Sequence, residues 1–456
     1  MSLGVASANE VQKREKKPEV SGGRINQSDM ARSDGLWERA RKVLPGGSTR
    51  AAVWFSPHPP YIVKGEGAWI TDVDGHRYLD LANNLGVLIH GHAHPDVVRV
   101  VQEQVALGSC FAAPTPHEVA LAELLQERVP AFERIRFINT GSEAVGLALK
   151  AAHAFTGRSR IVKLEGVYHG SNDFAEVSDY STPENWGNEP ASVAAVPATP
   201  QGVLDAVVAI AANDLAIADR VLTTHAAEIA AVIVDPVPPR AGMKPLERFF
   251  LEGLRTLTRR LGMLLIFDEV IAVRFGYHGA QGRFGGEPDL TVLGKIIGGG
   301  YPVGAVAGRA DVKETTAKDV ASSGTFTANP ITMRAGLASM QLLTPAAFAE
   351  LDALGERLRS ALTQFFDEQR LPMQVSRTGS VFSFYFHRRE VRDYRSYFKL
   401  PEELKRTEAF FRAMLARGVF IASTGTVFLS TVIGPGEERI FIDACKSSLL
   451  EIYTAA

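Results

Sequence analysis

Four apolar residues in a row, Leu264-Leu265-Ile266-Phe267, end abruptly on Asp268-Glu269-Val270. A short run without polar alternation fits a strand buried on both faces of a parallel sheet, which requires helices on each side. Acids at the carboxyl end of such a strand stand where open α/β sheets gather their ligands. Lys295 follows inside Leu293-Gly294-Lys295-Ile296-Ile297-Gly298-Gly299-Gly300. Apolar and glycine neighbours desolvate an amine and lower its pKa. A desolvated lysine can form a Schiff base, and a buried carboxylate can keep a ring nitrogen protonated. Strands ending in acids are common, however, and a lysine beside three glycines is more often a solvated loop residue. The rest of the chain has to decide between these readings.

Composition narrows the field. At 456 residues, 46% hydrophobic and 22% charged, the chain has room for two or three domains around a sizeable core. A formal charge of −2 leaves no basic footprint for nucleic acid and no bias toward a membrane surface. Cys110 and Cys445 are the only cysteines, far apart, so neither a disulfide framework nor a thiolate metal site is suggested. No apolar run reaches the roughly 18 residues of a membrane helix. Residues 1–33 are polar, carry Lys13-Arg14-Glu15-Lys16-Lys17 and lack the apolar stretch of a secretory signal. That predicts a mobile tail and a cytoplasmic setting.

Along the chain, Asp34 is placed to cap a helix running to Val43, before Pro45-Gly46-Gly47. Tyr61–Val63 and Ala68–Thr71 read as strands of a small antiparallel ribbon. Pro95 opens a helix, and His117–Val129 has helical spacing. Arg136-Phe137-Ile138 then leads through Asn139-Thr140-Gly141-Ser142-Glu143 into a helical stretch to Phe155. Strand, Gly-Ser turn and helix together form a phosphate-binding arrangement, with free backbone N–H groups and the positive end of the helix dipole at the turn. Ser142 either joins that site or merely caps the helix. Tyr168 and His169 follow the strand Ile161–Leu164, and Ser171–Thr199 reads as a long loop. A helix is expected over Pro200–Ala212, then the strand Ile229–Val234 ending in Asp235-Pro236, then the helix Phe249–Leu261. This alternation argues for a mainly parallel sheet covered on both faces. Beyond the strand Val303–Gly308 and the helix Ile331–Leu343 the pattern changes. Helices are expected over Ala347–Glu368, Glu402–Ala416 and Glu437–Tyr453, with a half-exposed strand at Gly379–Phe386 and a strand pair within Ile421–Thr431.

Taken in order, these motifs resemble the class III pyridoxal-phosphate aminotransferases. The resemblance rests on Asn139–Glu143, Tyr168-His169-Gly170, Phe267-Asp268-Glu269-Val270, Leu293-Gly294-Lys295, Gly324-Thr325-Phe326 and Asn329-Pro330. It runs from about Leu36 to the C-terminus. Within the class it is nearest the glutamate-1-semialdehyde aminomutases and their transaminase relatives, including β-phenylalanine and D-phenylglycine aminotransferases. It implies the type I, aspartate-aminotransferase-like α/β fold: a mainly parallel seven-stranded sheet domain and a smaller α+β domain made by the N- and C-terminal parts. The expected divisions are residues 1–33 (tail), 34–95 (helix and ribbon), 96–345 (large cofactor-binding domain) and 346–456 (C-terminal α+β domain).

The resemblance also implies roles. Lys295 would bond pyridoxal 5'-phosphate (PLP) and, once released by substrate, carry the proton between the substrate carbon and the cofactor. Asp268 would pair with the pyridinium nitrogen. Tyr168 and Val270 would pack on opposite ring faces, with His169 beside them, while Gly141 and Ser142 would hold the phosphate. Thr325 would reach the phosphate of a neighbouring subunit, making a homodimer with shared sites. Arg50 falls where these relatives carry an arginine for a substrate carboxylate. Trp54, Phe55, Leu85, Val87 and Leu88 are candidates for an apolar substrate pocket. His90, His92 and His94 alternate, but without a carboxylate or thiolate ligand set they are expected to form a hydrogen-bonded loop, and no metal is expected. Asp289 is expected to be a structural cap.

The expected activity is amino transfer from a carboxylate-bearing donor, a β-amino acid or a related amino acid, to a 2-oxo acid through pyridoxamine phosphate. Glutamate-1-semialdehyde 2,1-aminomutase is the alternative, and a racemase a more distant one. Three departures from the family pattern bear on that choice. Asp235-Pro236 replaces Glu-Pro and leads into Val237-Pro238-Pro239-Arg240. Ser423–Thr426 lacks the arginine of the β-phenylalanine enzymes. Asn83–Ile89 lacks the Ser-Trp-Gly-Pro pattern of the aminomutase.

Overall fold

A computed structural model describes residues 24–25, 30–50, 53–320, 324–376 and 378–454. Near the start, β1 (Ile62–Glu66), β2 (Trp69–Asp72) and β3 (Arg77–Asp80) form an antiparallel ribbon. The main sheet follows: β4 (Arg134–Ile138), β5 (Arg160–Leu164), β6 (Val207–Ile210), β7 (Ile229–Val234), β8 (Leu264–Asp268), β9 (Leu290–Gly294) and β10 (Gly304–Gly308). Its spatial order is β4-β10-β9-β8-β7-β5-β6, and only β10 runs antiparallel to its neighbours. A third sheet joins β11 (Gln374–Val375), β12 (Val381–Tyr385) and a later strand, while β13 (Val419–Phe420) adds in parallel to β3. That later strand is β14 (Thr426–Phe428), which pairs with β12.

The two-residue period of the central strands explains why the sheet is covered twice. In β7, Ala231 and Ile233 join one apolar cluster, and Val232 and Val234 join the other. In β8, Leu264 and Ile266 face the first cluster and Leu265 and Phe267 the second. The helix Gly141–Thr156 covers the first face with Ala144, Leu147, Ala148 and Ala151. The helix Arg248–Leu261 covers the second with Phe250, Leu251, Leu254 and Leu257, a stripe at helical spacing. Each fully buried Leu or Phe on these faces contributes about 1.5–3 kcal/mol relative to exposure.

Several local expectations need correction. The predicted helix Pro200–Ala212 stops at Ala206, because Val207-Val208-Ala209-Ile210 pairs with β5 as the edge strand β6. β-Branched residues beside an open sheet edge favour that pairing over another helical turn. A helix not anticipated, Leu215–Thr224, follows, capped by the Asp214 carboxylate accepting from Ile217 N. Gly379–Phe386 is not half-exposed: all of β12 is buried, with β11 and β14 on its two edges. Ile421–Thr431 is not a strand pair: β14 is the one strand within it and pairs with β12, while β13 ends just before it, at Phe420, and pairs with β3. A tight turn, closed by Ala422 N donating to Thr426 O, sends the chain from the β1–β3 sheet into the β12 sheet. Asp34 does not cap the first helix, which begins at Ala31. The Asp74 carboxylate supplies the acceptors there, from Arg32 N and Ser33 N. Asp34 instead pairs with His58 Nε2 at 2.9 Å.

Candidate active site

The register of β10 brings the polar ends together. Gly304 pairs with Ile138 on one side and with Gly294 on the other. Two antiparallel steps leave β4 parallel to β9, so β4, β9, β8, β7 and β5 all finish at one edge of the sheet. Asn139–Ser142, Lys295, Asp268, Asp235 and Tyr168-His169 each follow one of these ends. A Cβ on Gly304 would overlap the Thr140 carbonyl, so only glycine lets β10 pass between them.

Lys295 follows the last residue of β9 in a left-handed conformation, φ 49°, which an L residue holds only when its surroundings impose it. Burial lowers its pKa to about 8; the Asp268 charge opposes that shift, and those of Arg50 and Arg274 add to it. Asp268 ends β8 and is buried. Its Oδ2 accepts from His169 Nδ1 at 2.8 Å and its Oδ1 from Val270 N at 3.0 Å. His169 is itself buried, and its Nε2 has no partner among the described residues. Two more acids lie close by. Burial, then the Asp268 charge, pushes Asp235 well above the carboxylate range. Burial raises Glu269 to about 7. Glu269 turns away from the cleft to accept from Ala280 N, Gln281 N and Gln281 Nε2, so of the Asp268-Glu269 pair only Asp268 meets His169.

The turn after β4 removes one of the two readings of Ser142, that of helix cap. Thr140 is the cap: its Oγ1 accepts from Glu143 N at 3.1 Å, while Glu143 Oε2 accepts from Asn139 N. Ser142 Oγ accepts instead from Ser171 N at 3.0 Å. Gly141 borders Val270 so closely that an added Cβ would meet both Val270 methyls at 3.0 and 3.1 Å. Tyr168 is 41% exposed, and the Arg240 guanidinium lies 5.0 Å from its ring centroid. Arg240 also donates to Tyr180 Oη and Asp179 O. Asp179 is paired in turn with the fully buried Lys163 of β5 at 2.7 Å. The unusual Pro238-Pro239-Arg240 segment therefore ties the loop 171–199 to the ring of Tyr168.

On the opposite wall, Arg50 is exposed and its Nη1 donates to Asn84 Oδ1 at 2.8 Å. Leu88 borders the glycine run, with Cδ2 3.1 Å from a Cβ built on Gly300. Phe55 belongs to the core instead, edge-on to Phe411 at 4.7 Å, and Trp54 is 42% exposed. His90 bonds Thr431 and Ser339 O, and His92 bonds Asp80. Among the described residues no cluster could hold a metal ion. Asp289 accepts from Arg255, Arg309 and Leu265 N, a structural role at the start of β9. Thr325 is exposed, in the turn that precedes the helix Pro330–Leu342.

Asn84 and Arg274 were not singled out in the sequence. Asn84 lies in a glycine-rich stretch with no regular period. Arg274 stands alone among Ala272, Val273 and Phe275, which hinted that this cation is buried rather than solvated.

A lysine, a histidine-bound carboxylate and a helix N-terminus converge at one sheet edge, and the family comparison agrees. The model of the aminotransferase class-III family matches residues 51–434. The chain belongs to the class III aminotransferases. Glutamate-1-semialdehyde 2,1-aminomutase of Thermomicrobium roseum is 38% identical over 432 residues, 93% of this chain and 99% of that one. Among solved structures, an omega-transaminase from Sphaerobacter thermophilus is 47% identical, covers 92% of this chain and 97% of its own, and superposes with a TM-score of 0.90. A β-phenylalanine aminotransferase from Variovorax paradoxus is 32% identical over 94% of this chain and 95% of its own, with a TM-score of 0.84.

As a class III aminotransferase the chain is a pyridoxal-phosphate enzyme of amino transfer on the type I fold. Its residues fit that cofactor. The partly desolvated amine suits an aldehyde, and the His169-bound carboxylate suits a protonated ring nitrogen. The free N–H groups at Gly141 and Ser142 suit a phosphate. Gly141, without a side chain, packs closely against Val270 at the same edge.

Proposed function

We propose that this enzyme takes an amino group from a donor that carries a carboxylate, a β-amino acid or a related amino acid, and passes it to a 2-oxo acid. The observation that carries this reading is Arg50. Its exposed guanidinium is anchored by one nitrogen to Asn84, the other donors of the fork have no partner among the described residues, which suits a ligand, and its charge acts on the Lys295 amine.

Bound pyridoxal phosphate supplies the electron sink that makes a proton on the substrate carbon acidic. Lys295 holds the cofactor and then moves that proton; a pKa near 8 leaves a useful fraction of neutral amine at working pH. Asp268 holds the ring-nitrogen proton, and the His169 Nδ1–H donated to it fixes its orientation. Ser142 and the N–H groups at Gly141 and Ser142 orient the phosphate. Tyr168 and Val270 confine the ring between them. The exposed Thr325 is assigned to the phosphate of a second subunit, which makes the working unit a homodimer.

The resemblance in sequence to glutamate-1-semialdehyde aminomutases over nearly the whole chain supports a second reading, amino transfer within one molecule. Addition of each enantiomer of β-phenylalanine to the holoenzyme decides between them. Loss of the yellow absorbance with one enantiomer, regained on adding a 2-oxo acid, is expected. An unchanged spectrum with both enantiomers, and turnover of glutamate 1-semialdehyde, would sink the transaminase reading. Arg50→Lys is expected to raise KM for the carboxylate donor about tenfold with kcat little changed. Equal KM values in the two enzymes would remove Arg50 from the donor site.

A further inference from the structure

Among the described residues Arg274 is the largest side chain that the fold buries outright, at 1% exposure. Its nitrogens donate only to neutral oxygens: Nε to Ser380 Oγ (3.3 Å), Nη1 to Gly86 O (3.2 Å) and Nη2 to Leu429 O (2.6 Å). Among the described residues no carboxylate pairs with it. A buried charge without a counter-ion costs stability that an apolar residue of similar volume would recover. The cost points to a use elsewhere, and the neighbours of Arg274 show where.

Its first carbonyl partner belongs to the turn that holds Arg50. Asn83, Asn84 and Leu85 have consecutive φ values of 45°, 49° and 58°, a left-handed run that L residues do not hold unaided. Two side chains lace this turn to the end of β14: Asn83 Nδ2 donates to Phe428 O at 2.5 Å, and Arg274 bridges Gly86 O and Leu429 O. The approach requires glycine, because a Cβ on Gly86 would lie 2.9 Å from Arg274 Nη1 and 2.8 Å from Phe428 Cδ1. Asn84, at the centre of the run, then accepts from Arg50.

The geometry points to Arg274 as a positioning residue: its fork braces the left-handed turn that presents Arg50. This rests on the role of Arg50 proposed above. Burial lowers the Arg274 pKa itself to about 9, so the guanidinium is still charged at neutral pH.

Holoenzymes of Arg274→Lys and Arg274→Gln separate charge from fork. The quantity read is KM, against kcat, for β-phenylalanine beside 1-phenylethylamine, which lacks the carboxylate. Arg274→Gln is expected to raise KM for the carboxylate donor about tenfold while leaving the neutral amine within about twofold. Arg274→Lys, which keeps the charge but not the fork, should not restore the KM. A melting temperature that falls while the KM ratio stays as in the parent would reduce Arg274 to a structural residue and overturn the proposal. Should Arg274→Gln fail to fold, Gly86→Ala displaces Nη1 without removing the charge. A higher carboxylate-donor KM is then expected, and an unchanged KM would overturn the bracing. If Arg50→Lys itself leaves KM unaltered, the Arg50 reading has failed and the bracing falls with it. A raised KM in Arg50→Lys beside an unchanged one in Arg274→Gln overturns the bracing alone.

Discussion

On the Lys295 side of the cleft every polar group hangs from the end of a strand in the main sheet. On the Arg50 side the groups sit in turns, at residues 48–50 and 83–86, fastened to the end of β14 by side chains. The first wall is supported by two apolar faces and the register of seven strands, so its positions follow from the packing of the core. The second wall relies on hydrogen bonds and on backbone conformations that cost energy to hold. Rigid support suits the group that does the chemistry, whatever the substrate. A wall of laced turns can be changed one residue at a time, which suits the part that selects a donor.

If this contrast is sound, substitutions on the sheet side should abolish chemistry, whereas those on the turn side should move KM. The largest effect is expected at Lys295. Lys295→Ala should lower kcat by at least about 10³-fold while pyridoxal phosphate still binds, because the phosphate and ring contacts are untouched. Single-turnover kinetics with equilibrium dialysis reads both quantities, and turnover within tenfold of the parent would remove Lys295 from catalysis. Next comes Asp268→Asn, which takes away the carboxylate that His169 orients. A loss of about 10²–10³-fold in kcat with a modest change in donor KM is expected. A change confined to KM would place Asp268 on the wrong side of the comparison.

The sheet side is largely legible in the sequence. Asp268, Lys295 and Ser142 each stand where an apolar run breaks into a polar turn, and in an α/β chain those breaks gather at one edge. The turn side was legible only in part. Arg50 drew notice through its likeness to relatives, but its partner Asn84 did not. Their contact joins residues distant in sequence through a left-handed turn that has no periodic signature. Arg274 carries a hint of burial in its apolar neighbours, but its three oxygen partners, on Ser380, Gly86 and Leu429, lie far away in the chain. The same limit misplaced β6: Val207–Ile210 has helix-compatible neighbours, and only the open edge of β5 makes it a strand. It also hid the parting of β13 and β14, which depends on partners far away in the chain.

A third prediction concerns stability. Folding lowers the Lys295 pKa from its ordinary 10.5 to about 8, chiefly by burial. Below about pH 8 the amine is protonated in both folded and unfolded chains, and the folded apoprotein bears the full cost of the buried charge. Between about pH 8 and 10.5 the folded chain releases a proton that the unfolded chain keeps, so stability rises with pH across that window. Apoprotein carrying Lys295→Met should therefore be more stable than the parent by about 3 kcal/mol at pH 7. The difference should shrink toward pH 10.5. Urea unfolding of both apoproteins at pH 7 and pH 10 measures it, and an equal difference at the two pH values would show that packing, not charge, is responsible.

The smallest effect separates two hydroxyls on one turn of the sheet side. Thr140 caps the helix Gly141–Thr156 through Glu143 N, whereas Ser142 Oγ is bound to Ser171 N and contributes nothing to the cap. Losing a cap costs about 1 kcal/mol of stability. Losing a hydroxyl from a phosphate site costs a similar amount of affinity, about fivefold in Kd. Thr140→Ala should therefore lower the melting temperature of the apoprotein, with Kd for pyridoxal phosphate within about twofold of the parent. Ser142→Ala should do the reverse, weakening the cofactor about fivefold with little change in apoprotein melting. Calorimetry and cofactor titration on the two variants give four numbers. If Ser142→Ala lowers the melting temperature and spares the cofactor, its hydroxyl serves only to hold the loop at Ser171. Phosphate binding would then rest on the backbone N–H groups at Gly141 and Ser142 and on the helix dipole alone.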